Sequence, residues 1–248
     1  MKGIVIFSGT TEGRLLSHTL AAEGAAVTVC VATDYGREEQ GRMPGICVRT
    51  GRMEEEEMAV LVKDSLLCVD ATHPYAAAVS RNIQRACTKT GTPCLRLLRA
   101  ESPLPEDCLR AASAEAAARL LSGIQGNILV ATGAKEIGKY APLGPDRLYP
   151  RVLPSEESIR ACLDAGIPRA NIIAIQGPFT RELNAALIRQ FRIACLVTKD
   201  GGGAGGFPEK MAAARDTGAR VLVITRPQDR GQSYDAVLAQ CREMIKCR

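Results

Sequence analysis

The sequence contains only two histidines, His18 and His73, among its 248 residues, and it has no long apolar run. A histidine-rich metal site is therefore not expected. No segment reaches the roughly 18 apolar residues that a membrane span needs. The first apolar run covers only Ile4 to Phe7, which is too short for a secretory signal peptide and suits a first β-strand. We therefore expect neither a secretory leader nor a membrane partner.

The ten cysteines include no C-x-x-C pair, so no zinc or redox motif is indicated and no metal site is predicted. Cys30, Cys68 and Cys195 lie in apolar strand-like runs, where a free thiol acts as a small hydrophobe. Free thiols are typical of a reducing compartment, which predicts a cytoplasmic protein. The formal charge of +5 is dispersed and aromatic residues are only 4%. These values argue against nucleic acid as a partner and suit a small anionic ligand.

Short, continuous apolar runs alternate along the chain with stretches of helical spacing. Such runs are typical of strands buried on both faces of a parallel sheet, and they include GIVIF, VTVCVA, LLCVDAT, PCLRLL, NILVAT, NIIAIQ, IACLVT and RVLVIT. Several helical stretches end in glycine just before the next strand, as helix C-caps do, at Gly24, Gly91, Gly166 and Gly218. The pattern predicts an α/β protein with mainly parallel sheets.

A composition break from Ser102 to Asp107 contains two prolines and two acids, which is typical of a linker. Strand and helix units lie on both sides of this break. We therefore predict two Rossmann-like domains, residues 1–105 and residues 106–248, with an interdomain cleft. No internal repeat supports a duplication.

Five apolar runs end in threonine followed by small or polar residues, in FSGTTEG, VATDYG, VDATHPY, VATGAK and LVTKDGGG. Ligands of parallel sheets bind beyond the carboxyl ends of the strands, so we expect these ends to form one polar surface at the cleft. The turn from Ser8 to Gly13 reads Gly-x-x-x-Gly instead of the dinucleotide motif Gly-x-Gly-x-x-Gly. It indicates either a pyrophosphate site or a plain turn capped by Thr10 or Thr11. Asp34 suits a ribose hydroxyl and a turn equally.

The segment DATHPYA places His73 at a strand end, directly before Pro74, which we predict to be the first helical residue. His73 is a candidate proton donor or ligand hydrogen-bond partner, and the alternative is a surface residue without chemistry. His18 lies in the middle of a helical stretch and is predicted to be structural. Arg81 and Arg85 share one helix face, which suits either an acidic substrate or solvent.

Two further loops bring lysine and glycine close together, namely ATGAKE with Lys135 and TKDGGGAGG with Lys199. Neither loop has Lys-Ser/Thr directly after its last glycine, as a P-loop requires, so an ATPase or kinase is not indicated. The two lysines are point charges suited to phosphate or carboxylate.

Seven segments in this order resemble the precorrin-6A reductase family of cobalamin biosynthesis: SGTTEGR, VATDYG, DATHPYA, ATGAKE, RVLPSEES, NIIAIQGPFTRELN and LVTKDGGGAGGFPEK. The resemblance runs from Gly3 to about Pro227. The combination of DATHPYA, IQGPF and TKD with GGFPEK is more specific than any single glycine loop. Family members often read GGT at the first turn, where this chain has Ser8-Gly9-Thr10.

The resemblance implies two Rossmann-like domains that bind NADPH or NADH together with a polycarboxylate tetrapyrrole, either precorrin-6A or cobalt-precorrin-6A. The implied reaction transfers a hydride from the nicotinamide to one double bond of the macrocycle, and a proton is added at the adjacent position. The product is precorrin-6B or its cobalt form. Two other classes would keep the same threonine-glycine strand ends: a non-catalytic tetrapyrrole- or dinucleotide-binding protein, and a tetrapyrrole methyltransferase that uses S-adenosylmethionine.

For this chain we expect three groups of site residues. The cofactor is expected to contact Gly9, Thr10, Thr11, Glu12, Thr132, Gly133, Lys135, Thr198, Gly201 and Gly205. Catalysis or proton delivery is assigned to His73, Tyr75, Lys199 and Asp200, with water as the alternative proton source. The carboxylates of the substrate are expected to bind Arg81, Arg85 and Lys210. The sequence does not choose between NADPH and NADH or between the two substrates, and it carries no signal of oligomeric state.

Overall fold

The computed structural model describes residues 3–98, 104–200, 206–226 and 229–247. The chain divides into two units. The first unit combines Met1–Ala100 with Gln228–Arg248, and the second is Glu101–Pro227. Each unit contains a parallel β-sheet with helices, which confirms the predicted α/β class.

The first unit alternates strands and helices up to its fifth strand. Strands β1 to β5 are Ile4–Ser8, Val27–Val31, Ile46–Thr50, Leu67–Ala71 and Cys94–Arg96. Helices α1 to α4 are Thr11–Ala22, Asp34–Gln40, Glu55–Val62 and Ala77–Thr90. The strands pair in parallel in the order β3-β2-β1-β4-β5. The chain leaves β1 toward one edge of the sheet and β4 toward the other, so the carboxyl ends of β1 and β4 form a topological switch point.

The second unit is also a parallel sheet with helical connections. Strands β6 to β11 are Leu109–Ala111, Asn127–Ala131, Leu148–Val152, Ile173–Ala174, Ile193–Lys199 and Arg220–Ile224. Helices α5 to α8 are Ala114–Leu121, Glu156–Asp164, Arg181–Gln190 and Phe207–Thr217, and short 3-10 helices cover Ile137–Leu143, Pro145–Arg147 and Arg169–Asn171. The strand order is β6-β11-β10-β7-β8-β9. The chain leaves β7 and β10 in opposite directions, which gives this unit its own switch point.

Six of the eight predicted strands are largely buried, and the other two, β5 and β9, are short edge strands. All five residues of β4 are buried, for example. The apolar-run pattern missed β3, β6 and β8, because β3 and β6 are edge strands with polar residues and β8 reads LYPRV, with a proline and an arginine. The predicted glycine C-caps are confirmed at Gly91 and Gly218, which adopt the left-handed conformation after α4 and α8.

The last helix, α9 at Tyr234–Lys246, belongs to the first unit and not to the second. Its residues Val237, Leu238 and Cys241 are buried in the same apolar cluster as Leu16 and Leu20 of α1. The prediction that all of residues 106–248 form the second domain is therefore wrong for this segment. An amphipathic terminal helix can cover either sheet, and its sequence pattern does not say which one.

The described helices include none with the length and apolar character that crossing a membrane requires.

Candidate functional site

The first switch point comprises residues 8–12, which follow β1, and residues 72–75, which follow β4. A Cβ atom added to Gly9 would lie 3.4 Å from the backbone nitrogen of His73 and 3.6 Å from the α-carbon of Thr72. The hydroxyl of Thr10 donates a hydrogen bond of 3.1 Å to the carbonyl oxygen of Ala71. The structure therefore brings together the two turns that carry Gly9 and His73, as the switch-point topology requires.

Helix α1 begins directly at this turn. Thr10 is its N-cap, and its hydroxyl oxygen accepts from the backbone N–H of Gly13 at 3.2 Å. A Cβ atom on Gly13 would lie 2.8 Å from Cβ of Ala71 and 2.9 Å from Oγ of Ser8, so only glycine allows α1 to approach β4 this closely. Thr11 and Glu12 form the first turn of the helix. A helix N-terminus carries partial positive charge and backbone donors, which suits an anionic group.

His73 and Tyr75 lie in a turn and not in a helix. The prediction that Pro74 begins the helix is wrong, because α4 begins at Ala77. The backbone N–H of Ala76 instead closes a turn onto the carbonyl oxygen of His73 at 2.8 Å. The N–H of Tyr75 donates to Nδ1 of His73 at 3.4 Å, and the two ring centroids are 5.4 Å apart. Since Nδ1 is an acceptor, the neutral imidazole of the exposed His73 carries its proton on Nε2.

A buried ion pair holds the end of β4 in place. Nη1 of Arg96 donates to Oδ1 of Asp70 at 2.9 Å and to the carbonyl oxygen of Thr72 at 3.0 Å. The hydroxyl of Thr72 donates to the same Asp70 oxygen at 2.7 Å, and Nε of Arg96 donates to Asp229 at 2.8 Å. The residues before His73 are therefore fixed by a network with charge on both sides. Sequence reasoning missed this network, because Asp229 is far from Asp70 along the chain.

A cavity of about 200 Å³ opens beside the first switch point. Its walls come from the ends of β1 and β2, from the segment after β3 and from the first turns of α3 and α4. Apolar side chains dominate, with Phe7, Val31, Met53, Met58 and Val79 among them. The polar and charged lining residues are Ser8, Arg52, Glu54, Thr72 and Asn82. An apolar cavity with a few polar groups is typical of a site for a flat ring.

Two predicted substrate residues lie on the surface of α4. Arg81 and Arg85 are both exposed. Arg85 forms an ion pair of 3.7 Å with Glu55 on α3. The structure therefore gives Arg85 a partner within its own unit.

His18 and Asp34 each have a structural role. Nε2 of His18 lies 2.9 Å from the backbone carbonyl oxygen of Gln40, which confirms the predicted structural histidine. Asp34 is the first residue of α2 and forms an exposed ion pair of 3.1 Å with Arg37. An acid in the first turn of a helix is stabilising there without any ligand.

The second switch point comprises residues 132–136, which follow β7, and residues 198–200 at the end of β10. Thr198 pairs with Ala131 in the sheet, so the residues after Ala131 lie beside Lys199. Nζ of Lys199 donates to Oε2 of Glu136 at 2.7 Å, and Nζ of Lys139 donates to Oε1 at 2.9 Å. Burial alone would raise the pKa of Glu136, but hydrogen bonds from Lys199 and Lys139 hold it below its usual value. Glu136 thus binds two lysines as a carboxylate.

The other expected contacts of this edge have different environments. Thr132 follows β7, and its hydroxyl is buried, as is that of Tyr140. Burial raises the pKa of the Tyr140 phenol to about 12. Gly133 is exposed in a left-handed conformation, with φ of +87°, and Lys135 is exposed. Thr198 is fully buried. Its side chain therefore packs inside the unit at the end of β10 and does not reach a ligand. The predicted Gly201 and Gly205 lie outside the described residues.

Asp200 is buried in an ion pair. Nε of Arg226, just beyond β11, lies 3.0 Å from Oδ2 of Asp200 and donates to its backbone carbonyl oxygen at 3.2 Å. Both side chains are more than nine-tenths buried. This geometry favours a role for Asp200 in holding the end of β10, because Arg226 binds both its side chain and its backbone carbonyl oxygen.

Two buried cations lie close to each other in the second unit, on β8 and in the helix that follows β10. Lys210, in the first turn of α8, is 8% exposed, and Arg151 of β8 is 6% exposed. Burial lowers the pKa of Lys210 to about 8, and the charge of Arg151 adds to this effect. Arg151 donates to the side-chain oxygen of Asn184 at 2.7 Å, and its guanidinium lies 4.1 Å from the ring centroid of Phe179. Adjacent buried cations are costly and are typical of a site that receives an anion.

Sequence reasoning assigned no role to Arg151, Phe179 or Asn184. The signal was nonetheless present, since RVLPSEES begins at Arg151 and NIIAIQGPFTRELN contains Phe179 and Asn184. Glu136 was likewise visible in ATGAKE beside Lys135. What the sequence lacked was the sheet order, which places β8 next to β7 and β7 next to β10.

Two parallel sheets, each with polar residues gathered at its switch point, define a Rossmann-like protein. The family model for "Precorrin-6x reductase CbiJ/CobK" matches residues 3–244, and the chain belongs to this family. The match confirms the resemblance that the seven segments indicated and makes the protein a reductase of cobalamin biosynthesis.

Relatives from several organisms match along most of the chain. A cobalt-precorrin-6A reductase of Priestia megaterium is 34% identical over 98% of this chain and 96% of its own length. That of Methanothermobacter thermautotrophicus is 34% identical over 91% and 76%. A precorrin-6A reductase of Rhodococcus erythropolis is 34% identical over 92% and 90%. A solved structure of CobK precorrin-6A reductase has a TM-score of 0.80 with 24% identity over 98% of both chains, which supports the fold.

Proposed function

We propose that this chain reduces precorrin-6A or cobalt-precorrin-6A to the corresponding 6B compound, with NADPH or NADH as the reductant. Family membership over residues 3–244 is the observation that carries this proposal. Relatives named for the cobalt-containing substrate and for the cobalt-free substrate are equally similar, at 34% identity, so both tetrapyrroles are candidates.

The first switch point fits the pyrophosphate of a dinucleotide. Its strand order, 3-2-1-4-5, is the dinucleotide-binding order 3-2-1-4-5-6 without the last strand. Helix α1 begins at the turn with its positive end. Gly9 lets the turn after β1 lie close to the turn after β4, since a Cβ atom there would lie 3.4 Å from the backbone nitrogen of His73. The backbone N–H groups of Gly9, Thr11 and Glu12 would donate to the pyrophosphate, and the neighbouring cavity would take one of the rings. When bound, the nicotinamide supplies the hydride.

The second switch point fits the carboxylates of the tetrapyrrole. Lys199, Lys210 and Arg151 provide positive charge in half-buried or buried positions, where charge-assisted hydrogen bonds are strong. Lys135 adds an exposed cation. We assign these residues to the substrate, together with Thr132 and Gly133, which the sequence had suggested for the cofactor. A polycarboxylate would bring negative charge next to the two buried cations Lys210 and Arg151.

The proton that accompanies the hydride needs a donor, and we assign this role to His73. His73 is exposed, and its backbone lies against Gly9. As an imidazolium it would release one proton to the substrate and return to the neutral ring, whose Nδ1 accepts from the N–H of Tyr75. Tyr75 would then position the imidazole. Asp200 is assigned a positioning role through its ion pair with Arg226.

The proposal is tested by anaerobic consumption of NADPH and of NADH, each assayed with precorrin-6A and with cobalt-precorrin-6A. Reduction of one tetrapyrrole, with one nucleotide oxidised per product formed, is the expected result. Binding of both ligands without oxidation would identify a non-catalytic binding protein and overturn the proposal. In the same assay, His73→Ala is expected to lower kcat while the nucleotide Kd stays unchanged, and unchanged kcat would assign the proton to water.

A further inference from the structure

Three cysteines that are distant in the sequence converge in the first unit. The sulfur atoms of Cys68, Cys87 and Cys94 all lie within 4.8 Å of one another. They belong to three different elements, since Cys68 is on β4, Cys87 is near the end of α4 and Cys94 begins β5. Cys68, which the sequence predicts to act as a small hydrophobe in its strand, therefore has two further thiols beside it.

The topology explains the convergence. Cys68 and Cys94 are directly paired in the parallel ladder between β4 and β5, so their side chains project from the same face of the sheet. Helix α4 covers that face, and Cys87 is buried there in one apolar cluster with Cys68. Spacings of this kind match no short motif, because the ligands come from a strand, a helix and the next strand.

The separation of the sulfur atoms suits one metal ion. Zn²⁺ binds thiolate sulfur at about 2.3 Å, which places the sulfurs of a tetrahedral site about 3.8 Å apart. The observed separations of up to 4.8 Å are within about 1 Å of that value. Small side-chain rotations would therefore complete the site without movement of the backbone.

The cluster also has a route for entry. Cys68 and Cys87 are buried, whereas Cys94 is exposed on an edge strand. Hydrogen bonds from the thiols of Cys68 and Cys94 lower the pKa of Cys87, which agrees with sulfur atoms in contact. The other buried cysteines of the described residues form no such group.

We propose that Cys68, Cys87 and Cys94 form a binding site for a single thiophilic metal ion such as Zn²⁺, with a fourth position open to solvent beside Cys94. Soft thiolate ligands select Zn²⁺ and Cu⁺ over harder ions such as Mg²⁺. The thiols release their protons to solvent as the metal–sulfur bonds form, and no oxidation takes place. The ion would join β4, α4 and β5 and so stabilise the first unit.

The test measures Zn²⁺ binding by the reduced, metal-free full chain in competition with a chromophoric chelator, with stoichiometry from native mass spectrometry. The key variant is Cys94→Ala, because an exposed edge position tolerates this change. Cys47→Ala is its matched control, since Cys47 is exposed on β3, the opposite edge strand of the same sheet. Free Co²⁺ serves as a second probe, because a thiolate-to-cobalt absorption band reports sulfur ligands directly.

We expect one Zn²⁺ per chain, a Tm that rises by several degrees with Zn²⁺, and unchanged binding in Cys47→Ala. Cys94→Ala should bind Zn²⁺ about 100-fold more weakly. Removal of a residue that only supports a metal ligand already costs about 10- to 100-fold in affinity, and Cys94 would be a ligand itself. Equal affinities of Cys94→Ala and Cys47→Ala would overturn the proposal. So would a chain that takes up no Zn²⁺ when reduced and forms a disulfide within the cluster when the reductant is withdrawn.

Discussion

The two switch points share a supporting device and differ in their charge. In each unit a buried aspartate at the end of a strand pairs with an arginine from the neighbouring strand or just beyond it, as Asp70 does with Arg96 and Asp200 with Arg226. Above this support, the first switch point presents a glycine turn, threonines and a histidine beside an apolar cavity. The second presents lysines paired with Glu136 and the buried cations Lys210 and Arg151.

The comparison teaches that one sheet topology can prepare two kinds of ligand site. The sheets place strand ends together in both units, but the side chains that follow those ends decide the chemistry. A turn with little charge at a helix N-terminus suits a pyrophosphate that binds main chain. A set of buried and half-buried cations suits carboxylates.

The largest effect is expected from the shared support. Arg96→Met should lower the free energy of unfolding by about 3–5 kcal/mol, because Asp70 would remain buried without its counter-charge. Arg226→Met should cause a loss of similar size in the second unit. Urea unfolding monitored by circular dichroism measures both. The control is Arg242→Met, which removes an ion pair with much larger exposure. If Arg96→Met lowers the free energy of unfolding no more than Arg242→Met does, the Asp70–Arg96 pair does not support the first unit in the way that we infer.

The next effect is a pH dependence of the free energy of unfolding, which we expect at the second switch point because of Lys210. Burial lowers the folded-state pKa of Lys210 to about 8, so between about 8 and the unfolded value of about 10.4 the unfolded chain binds more protons. This group therefore makes stability rise with pH across that window, and it destabilises the fold below pH 8. Lys210→Met should be more stable at pH 7 by roughly 3 kcal/mol, since one pKa unit corresponds to about 1.4 kcal/mol.

Thermal unfolding of wild type and Lys210→Met at pH 7 and pH 10 checks this expectation. The difference between the two proteins should shrink at pH 10. A constant difference would show that Lys210 is charged in the folded protein throughout the range.

A smaller effect is expected at the paired lysine of the second switch point. Lys199→Met should raise the KM for the tetrapyrrole about tenfold, equivalent to about 1.4 kcal/mol, while the Kd for the nucleotide stays the same. Lys139→Met is the matched control, because Lys139 binds the same Glu136 from a more exposed position. Equal changes in both variants would mean that only the charge state of Glu136 matters.

The smallest effect is expected on the surface of α4. Arg85 is exposed and already paired with Glu55, so Arg85→Ala should change neither the KM values nor the unfolding midpoint measurably. A tenfold rise in the KM for the tetrapyrrole would instead restore Arg85 to the substrate site that the sequence suggested.

The sequence was most informative where a residue's role depends on its own strand or turn. Continuous apolar runs such as VTVCV predicted buried strands, and glycine after a helical stretch predicted the C-caps at Gly91 and Gly218. It failed where the role depends on pairing between distant segments. The Arg96–Asp229 contact, the neighbourhood of Arg151 and Lys210, and the placement of α9 all result from sheet order and packing. The three converging cysteines are a further case, since only the register of β4 and β5 brings Cys68 to Cys94.

The central claim is that the first switch point binds the dinucleotide and the second binds the substrate. The most direct measurement is the Kd for NADPH, by titration of its fluorescence, in wild type, Gly9→Ala and Lys199→Met. The Cβ atom of Gly9→Ala would lie 3.4 Å from the backbone nitrogen of His73. We expect the fold to accommodate this tight contact, and we expect the added methyl group to cover main chain that would otherwise bind the pyrophosphate. The account predicts at least about tenfold weaker binding in Gly9→Ala and unchanged binding in Lys199→Met. Unchanged binding in Gly9→Ala with weakened binding in Lys199→Met would contradict it.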